Sequence, residues 1–87
     1  MNYRVILKPS AEKDLNRLPK SIKSRVLDRL AELQTNPRPT GSVKLAGAHA
    51  TYRLRVGDYR VVYEVDDSRH TVFATIIAHR REVYRGL

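Results

Sequence analysis

The chain has 87 residues, with 17 lysines and arginines against 9 aspartates and glutamates, a net charge of +8 and a pI near 10.3. Hydrophobic residues make up 41% and charged residues 30%, which predicts one globular domain over residues 1–87 rather than a disordered chain. The absence of cysteine excludes disulfides, thiolate metal sites and cysteine nucleophiles, no apolar run approaches the roughly 18 residues of a membrane span, and Met1 to Lys8 lacks the apolar core of a signal peptide, so a cytoplasmic protein with no membrane contact is expected.

Tyr3 to Leu7 alternates apolar Tyr3, Val5 and Leu7 with Arg4 and Ile6, the pattern of a strand. Pro9 stops it, and Ser10 is the expected N-cap of a short helix with Ala11, Leu15 and Leu18 along one side. Pro19 interrupts that helix and is placed to open the next. There, Ile22, Val26, Leu27, Leu30 and Leu33 form an apolar stripe among Lys20, Lys23, Arg25, Asp28, Arg29 and Glu32. Asn36-Pro37 ends it, because a residue before proline avoids the helical region. Pro37, Pro39, Gly41 and Gly47 mark a loop, with a short strand expected near Val43–Leu45.

From there the period becomes two. Tyr52 to Val56 and Tyr59 to Val65 read as strands joined by Gly57-Asp58, with glycine at the first central position as a type II′ turn requires. Asp66-Asp67-Ser68 is a second turn. Val72 to Ala78 is nearly all apolar and reads as a strand covered on both faces. His79 to Leu87 is a short charged tail. The expected fold class is α+β: an N-terminal strand and helical hairpin packed on a small, mostly antiparallel sheet that ends in a three-stranded meander.

A two-residue turn fixes the register of its hairpin. Val56 then faces Tyr59, Arg55 faces Arg60, Leu54 faces Val61 and Arg53 faces Val62. Tyr52, Leu54, Val56, Tyr59, Val61, Tyr63 and Val65 share the side that meets the helices; Arg53, Arg55 and Arg60 share the other. Directly opposed like charges repel, which a sheet tolerates if both side chains splay into water. Arg80, Arg81 and Arg85 follow the neighbouring strand, and together these guanidiniums offer planar forks to phosphate oxygens. The tail adds His79, able to move a proton near neutral pH, and Tyr84, able to stack on a base.

Other chemistries find less in the chain. His49, His70 and His79 lack metal-ligand spacing, no glycine-rich phosphate loop follows a strand, and no serine has the setting of a nucleophile elbow. No metal and no cofactor are expected.

The pattern resembles the RelE family of bacterial and archaeal toxins, within the wider RelE/ParE superfamily. The resemblance runs through Leu18-Pro19, Asn36-Pro37-Arg38, Lys44-Leu45-Ala46-Gly47, Tyr52-Arg53-Leu54-Arg55, Gly57-Asp58-Tyr59-Arg60-Val61-Val62-Tyr63 and His79-Arg80-Arg81-Glu82-Val83-Tyr84. It implies a toxin held inactive by a RelB-like antitoxin with an acidic, amphipathic helical C-terminal segment. Freed, such a toxin enters the ribosomal A site and cuts mRNA through attack by the RNA's own 2′-hydroxyl; operator DNA is bound only through the antitoxin complex. Carried over by position, Arg60 stabilises the phosphorane, Arg80 or Arg81 serves the leaving oxygen, and Tyr84 orients a base. Lys44, Arg53, Arg55 and Arg85 are expected to bind the RNA. Arg53 and Arg55 stand where well-known members have lysines, and an arginine is a poor general base. His79 is either a proton carrier or a cap on the last strand. Two rival readings are a ParE-like poison of DNA gyrase and a non-catalytic nucleic-acid-binding module.

Overall fold

The computed structural model describes residues 2–45 and 50–80. In chain order the elements are β1 (Arg4–Leu7), α1 (Pro9–Asn16), α2 (Lys20–Glu32), β2 (Val43–Lys44), β3 (Thr51–Val56), β4 (Tyr59–Asp66) and β5 (Thr71–His79). The strands form one sheet in the order β1-β5-β4-β3-β2. β1 runs parallel to β5 and every other neighbour pair is antiparallel. The α+β architecture expected from the sequence is present, with its meander β3-β4-β5.

One sheet face carries the core. Ala11 and Leu15 of α1, Val26 and Leu30 of α2, and Leu33 beyond it pack on Leu54, Val56, Val61, Tyr63, Val65, Val72, Ala74 and Ile77. Two helix details differ from expectation. Proline is preorganised for the first helical position, so Pro9 begins α1 and Lys8 takes the cap position. Ser10 falls inside the first turn, and its hydroxyl donates to the Thr75 carbonyl at 2.8 Å rather than capping. Leu27 is exposed, because it lies about 100° around the helix from Val26, outside the stripe through Ile22, Val26, Leu30 and Leu33.

The apolar strand β5 is central but not covered on both sides. Val72, Ala74 and Ile77 are buried, whereas Phe73, Ile76 and Ala78 on the far side are half-buried. The uneven spacing of the buried set has a covalent cause. Val62 pairs with Ile76 while the adjacent Tyr63 pairs with Ala74, so Thr75 is an extra residue in β5. This β-bulge resets the alternation, and the Thr75 hydroxyl donates to the Val62 carbonyl at 3.1 Å.

The loop after α2 is fastened at two points. Arg38 donates through Nη1 and Nη2 to the Asp67 carboxylate at 3.2 and 2.7 Å and through Nε to the Tyr52 hydroxyl at 2.8 Å. Tyr3 donates its hydroxyl to the same carboxylate at 2.6 Å. The Arg38 and then the Tyr3 hydrogen bonds hold the Asp67 carboxyl down at about 2. The fully buried Tyr63 donates to the Pro37 carbonyl at 2.8 Å. These bonds tie the strand that precedes α1, the loop and the β4–β5 turn into one frame, and that frame carries the chain on to Gly41 and Val43.

Candidate anion-binding face

The β3–β4 hairpin sets the geometry of the other sheet face. Gly57 has φ +60° while Asp58 stays out of the left-handed region, as a type II′ turn demands. The resulting register opposes Arg55 to Arg60, Leu54 to Val61 and Arg53 to Val62. Arg53, Arg55 and Arg60 therefore emerge on the side away from the helices. With Gly41 and Val43 they line a cleft of about 230 Å³. Val43 enters it because it pairs directly with Arg53. The sequence marks Gly41 as a loop residue and Val43 as the start of a short strand, but a two-residue strand after a loop has too little periodicity to show that they line this cleft.

The cleft is electrostatically crowded. Burial first, then the fields of Arg55, Arg53 and Arg80, push the Arg60 guanidinium below its ordinary pKa. Among the described residues, none of Arg55, Arg60 and Arg80 forms an ion pair. The guanidiniums of Arg55 and Arg60 are restrained by backbone instead: Arg55 Nε donates to the Gly57 carbonyl at 3.0 Å and Arg60 Nη1 to the Tyr59 carbonyl at 3.3 Å. The Arg80 N–H donates to the Asp58 carbonyl at 2.7 Å, which fixes the chain leaving β5 beside the hairpin turn.

Two residues expected at this face are placed elsewhere. Lys44 pairs with Tyr52, so strand alternation puts it on the side opposite Arg53. It lines a separate, larger concavity of about 640 Å³ together with Arg38, Tyr52, Asp66 and Asp67. His79 pairs with Tyr59 and meets its ring edge-to-face at 5.5 Å between centroids. Tyr59 and Ile77 belong to the helix side, so His79 points away from Arg60. Arg81, Tyr84 and Arg85 lie outside the described residues. Among the described residues no group of histidine, aspartate and glutamate could hold a metal ion, and no helix is long and apolar enough to cross a membrane.

Chemically, the face lines one cleft with the guanidiniums of Arg53, Arg55 and Arg60, with no ion pair at Arg55, Arg60 or Arg80 among the described residues. Such an array matches a tetrahedral or trigonal-bipyramidal phosphate bearing several anionic oxygens.

Comparison with known proteins gives a consistent picture. Residues 5–84 match the family described as the ParE toxin of the type II toxin–antitoxin system parDE. The chain is 36% identical over 84 residues to Toxin RelE of Mycobacterium tuberculosis, covering 95% of this chain and 87% of that protein. The structure superposes on the archaeal RelE of the RelE–RelB complex from Pyrococcus horikoshii with a TM-score of 0.83 at 32% identity, covering 94% of this chain and 99% of that one. The isolated Escherichia coli RelE toxin is similar at a TM-score of 0.80 and 27% identity, covering 97% and 93%.

Proposed function

The chain belongs to the RelE/ParE family of type II toxin–antitoxin toxins and is a RelE-type member; from that premise we propose that it is a ribosome-dependent endoribonuclease that cuts mRNA in the A site. The observation that carries this reading is the convergence of Arg53, Arg55 and Arg60 in one cleft with Arg80 beside them. RNA supplies its own nucleophile, so the protein's task is to orient the 2′-hydroxyl for in-line attack and to stabilise the charge that builds on phosphorus. The 2′-oxygen bonds to phosphorus as its proton passes to water, the bond to the 5′-oxygen breaks and that oxygen takes up a proton, leaving a 5′-hydroxyl and a 2′,3′-cyclic phosphate that water can open to the 3′-phosphate.

In this scheme Arg53 and Arg55 grip the nonbridging oxygens and Arg60 takes the charge of the phosphorane. Arg80 or Arg81 serves the departing 5′-oxygen, and Tyr84 stacks on a base. Arg85 adds to backbone binding. Lys44 and His79 face the other side of the sheet and are assigned no contact with the phosphate. The partner is an antitoxin whose acidic helical segment covers the arginine face; the Pyrococcus horikoshii relative was solved with RelB.

Sequencing of RNA ends after induction tests the proposal. Cuts in frame with translation are expected, and Arg60→Ala should reduce single-turnover cleavage on programmed ribosomes by about 100- to 1,000-fold. Parental cleavage by Arg60→Ala would remove the catalytic assignment. The matching family model is described as a ParE toxin, so trapped gyrase–DNA complexes in place of cut mRNA would move the chain to the gyrase-poison reading.

A further inference from the structure

We propose a second phosphate site, on the opposite side of the hairpin from the arginine face, formed by Arg25 and Arg29 of α2 with Arg55 of β3, which takes a backbone phosphate of folded RNA other than the one being cut. These residues line a cleft of about 280 Å³ with Asp28, Val56 and Gly57. Three guanidiniums confront one carboxylate there. The Arg25 side chain has no hydrogen bond or ion pair among the described residues. Arg29 shares Glu32 at 3.4 Å through Nη1, yet its Nε is enclosed with no acceptor. The exposed guanidiniums of Arg25 and Arg55 are the donors that a phosphate oxygen meets on entering this cleft.

Three features build the site. The absence of a side chain at Gly57 admits the Arg25 fork: a Cβ there would stand 3.3 Å from Arg25 Nη1. Arg25 and Arg29 are four residues apart and so project from one side of α2. β2 pairs only with Tyr52 and Arg53, which leaves the β3 edge at Arg55 uncovered by a strand. Arg55 accordingly lines both this cleft and the arginine cleft on the other face. The positive surface is thus continuous around the hairpin edge, with Arg55 between the two clefts, so that folded RNA can be held in one while the scissile phosphate lies in the other. That continuity favours RNA, and the proposal rests on the RNA reading of the arginine face.

The test uses the full chain and purified 70S ribosomes without mRNA, so that binding is read apart from cleavage. Arg25→Gln/Arg29→Gln is expected to weaken binding about tenfold and to reduce the slope of log K against log salt by about 1 between roughly 50 and 200 mM. Asp28→Asn removes the carboxylate that lines the cleft and is expected to tighten binding; it needs no loss of packing, so it reports even if the double variant melts early. Inorganic phosphate should shift the Gly57 amide resonance in the parent and in Arg60→Ala, but not in Arg25→Gln/Arg29→Gln. Unchanged affinity and slope in the double variant, with no tightening by Asp28→Asn, would overturn the second site while leaving the cleavage assignment intact. Loss of binding to an acidic peptide alone, with ribosome binding at the parental level, would also overturn it and make the cleft a protein-docking site. Parental cleavage by Arg60→Ala together with weakened ribosome binding by the double variant would support the second site and overturn only the catalytic reading.

Discussion

Replacing Arg60 by glutamine should stabilise the fold while lowering the proposed cleavage about 100- to 1,000-fold. Arg60 stands directly opposite Arg55 and in the fields of Arg53 and Arg80. Opposed residues place their Cβ atoms about 4.5–5.5 Å apart, and like charges there destabilise a sheet by roughly 0.2–1 kcal/mol per pair. Coulomb's law in solvent-like surroundings gives ~0.6 kcal/mol for charges ~7 Å apart. With the more distant Arg53 and Arg80 added, the repulsion removed is about 1–1.5 kcal/mol. Against it stand the long 3.3 Å bond to the Tyr59 carbonyl, which glutamine can partly replace, and a weak attraction to Asp58. The net gain is ~0.5–1 kcal/mol, which for a domain of this size raises Tm by roughly 2–8 °C. The assay is thermal unfolding by circular dichroism at ~20 mM and ~1 M salt, with Arg60→Lys as a charge-retaining control. At ~1 M the Debye length is about 3 Å, and the gain should vanish. A Tm for Arg60→Gln below the parent at low salt, or a gain that persists at high salt, would refute the claim that this face stores repulsion.

Other consequences follow from the frame and the turn. Asp67 is held at about 2 against an ordinary 3.8, so its contribution is fully present above pH ~4 and is lost as pH falls through about 2; Asp67→Asn should flatten the acid limb of a Tm–pH curve in that window, and an unchanged limb would place the acid sensitivity elsewhere. Gly57→Ala should cost ~1–2 kcal/mol because an L-residue at φ +60° is strained, while the 3.3 Å approach falls on a flexible guanidinium that can yield; a Tm equal to the parent would contradict it. Tyr63→Phe removes the buried donor to the Pro37 carbonyl and should cost ~1–2 kcal/mol by chemical denaturation, with no change in the salt dependence of stability.

What could be read from the chain was what local rules determine. The hairpin register came from a two-residue turn whose glycine has one conformational use, and the helix stripes came from spacing alone; Val26, Leu30 and Leu33 are buried as their period requires. Arg53, Arg55 and Arg60 could be grouped because strand parity needs no distant information. Lys44 could not be oriented, since two paired residues in a loop rich in proline and glycine carry no readable alternation. The parallel pairing of β1 with β5 joins residues 4–7 to residues 71–74, and nothing local encodes it. Arg25 and Arg29 looked like the solvated side of a helix; only the packing of α2 beside the uncovered edge of β3 brings them to Arg55.

The bulge at Thr75 decides which residue at the end of β5 joins the arginines. Val72 and Ala74 face the helices; uninterrupted alternation from them would turn Ile76, Ala78 and Arg80 toward the helices as well, and Ile77 and His79 toward Arg60. The extra residue reverses that assignment. Ile77 enters the core, His79 meets Tyr59 on the helix side, and Ala78 pairs with Arg60 on the open face. Arg80, two residues on from Ala78, then falls within the field of Arg60. The bulge is held by the Thr75 hydroxyl on the Val62 carbonyl and by Ser10, whose hydroxyl reaches the Thr75 carbonyl from the first turn of α1. A single inserted residue thus places Arg80 rather than His79 beside the cleft. An arginine side chain carries its charge across the physiological pH range and a histidine does not, which suits the proposed grip on phosphate.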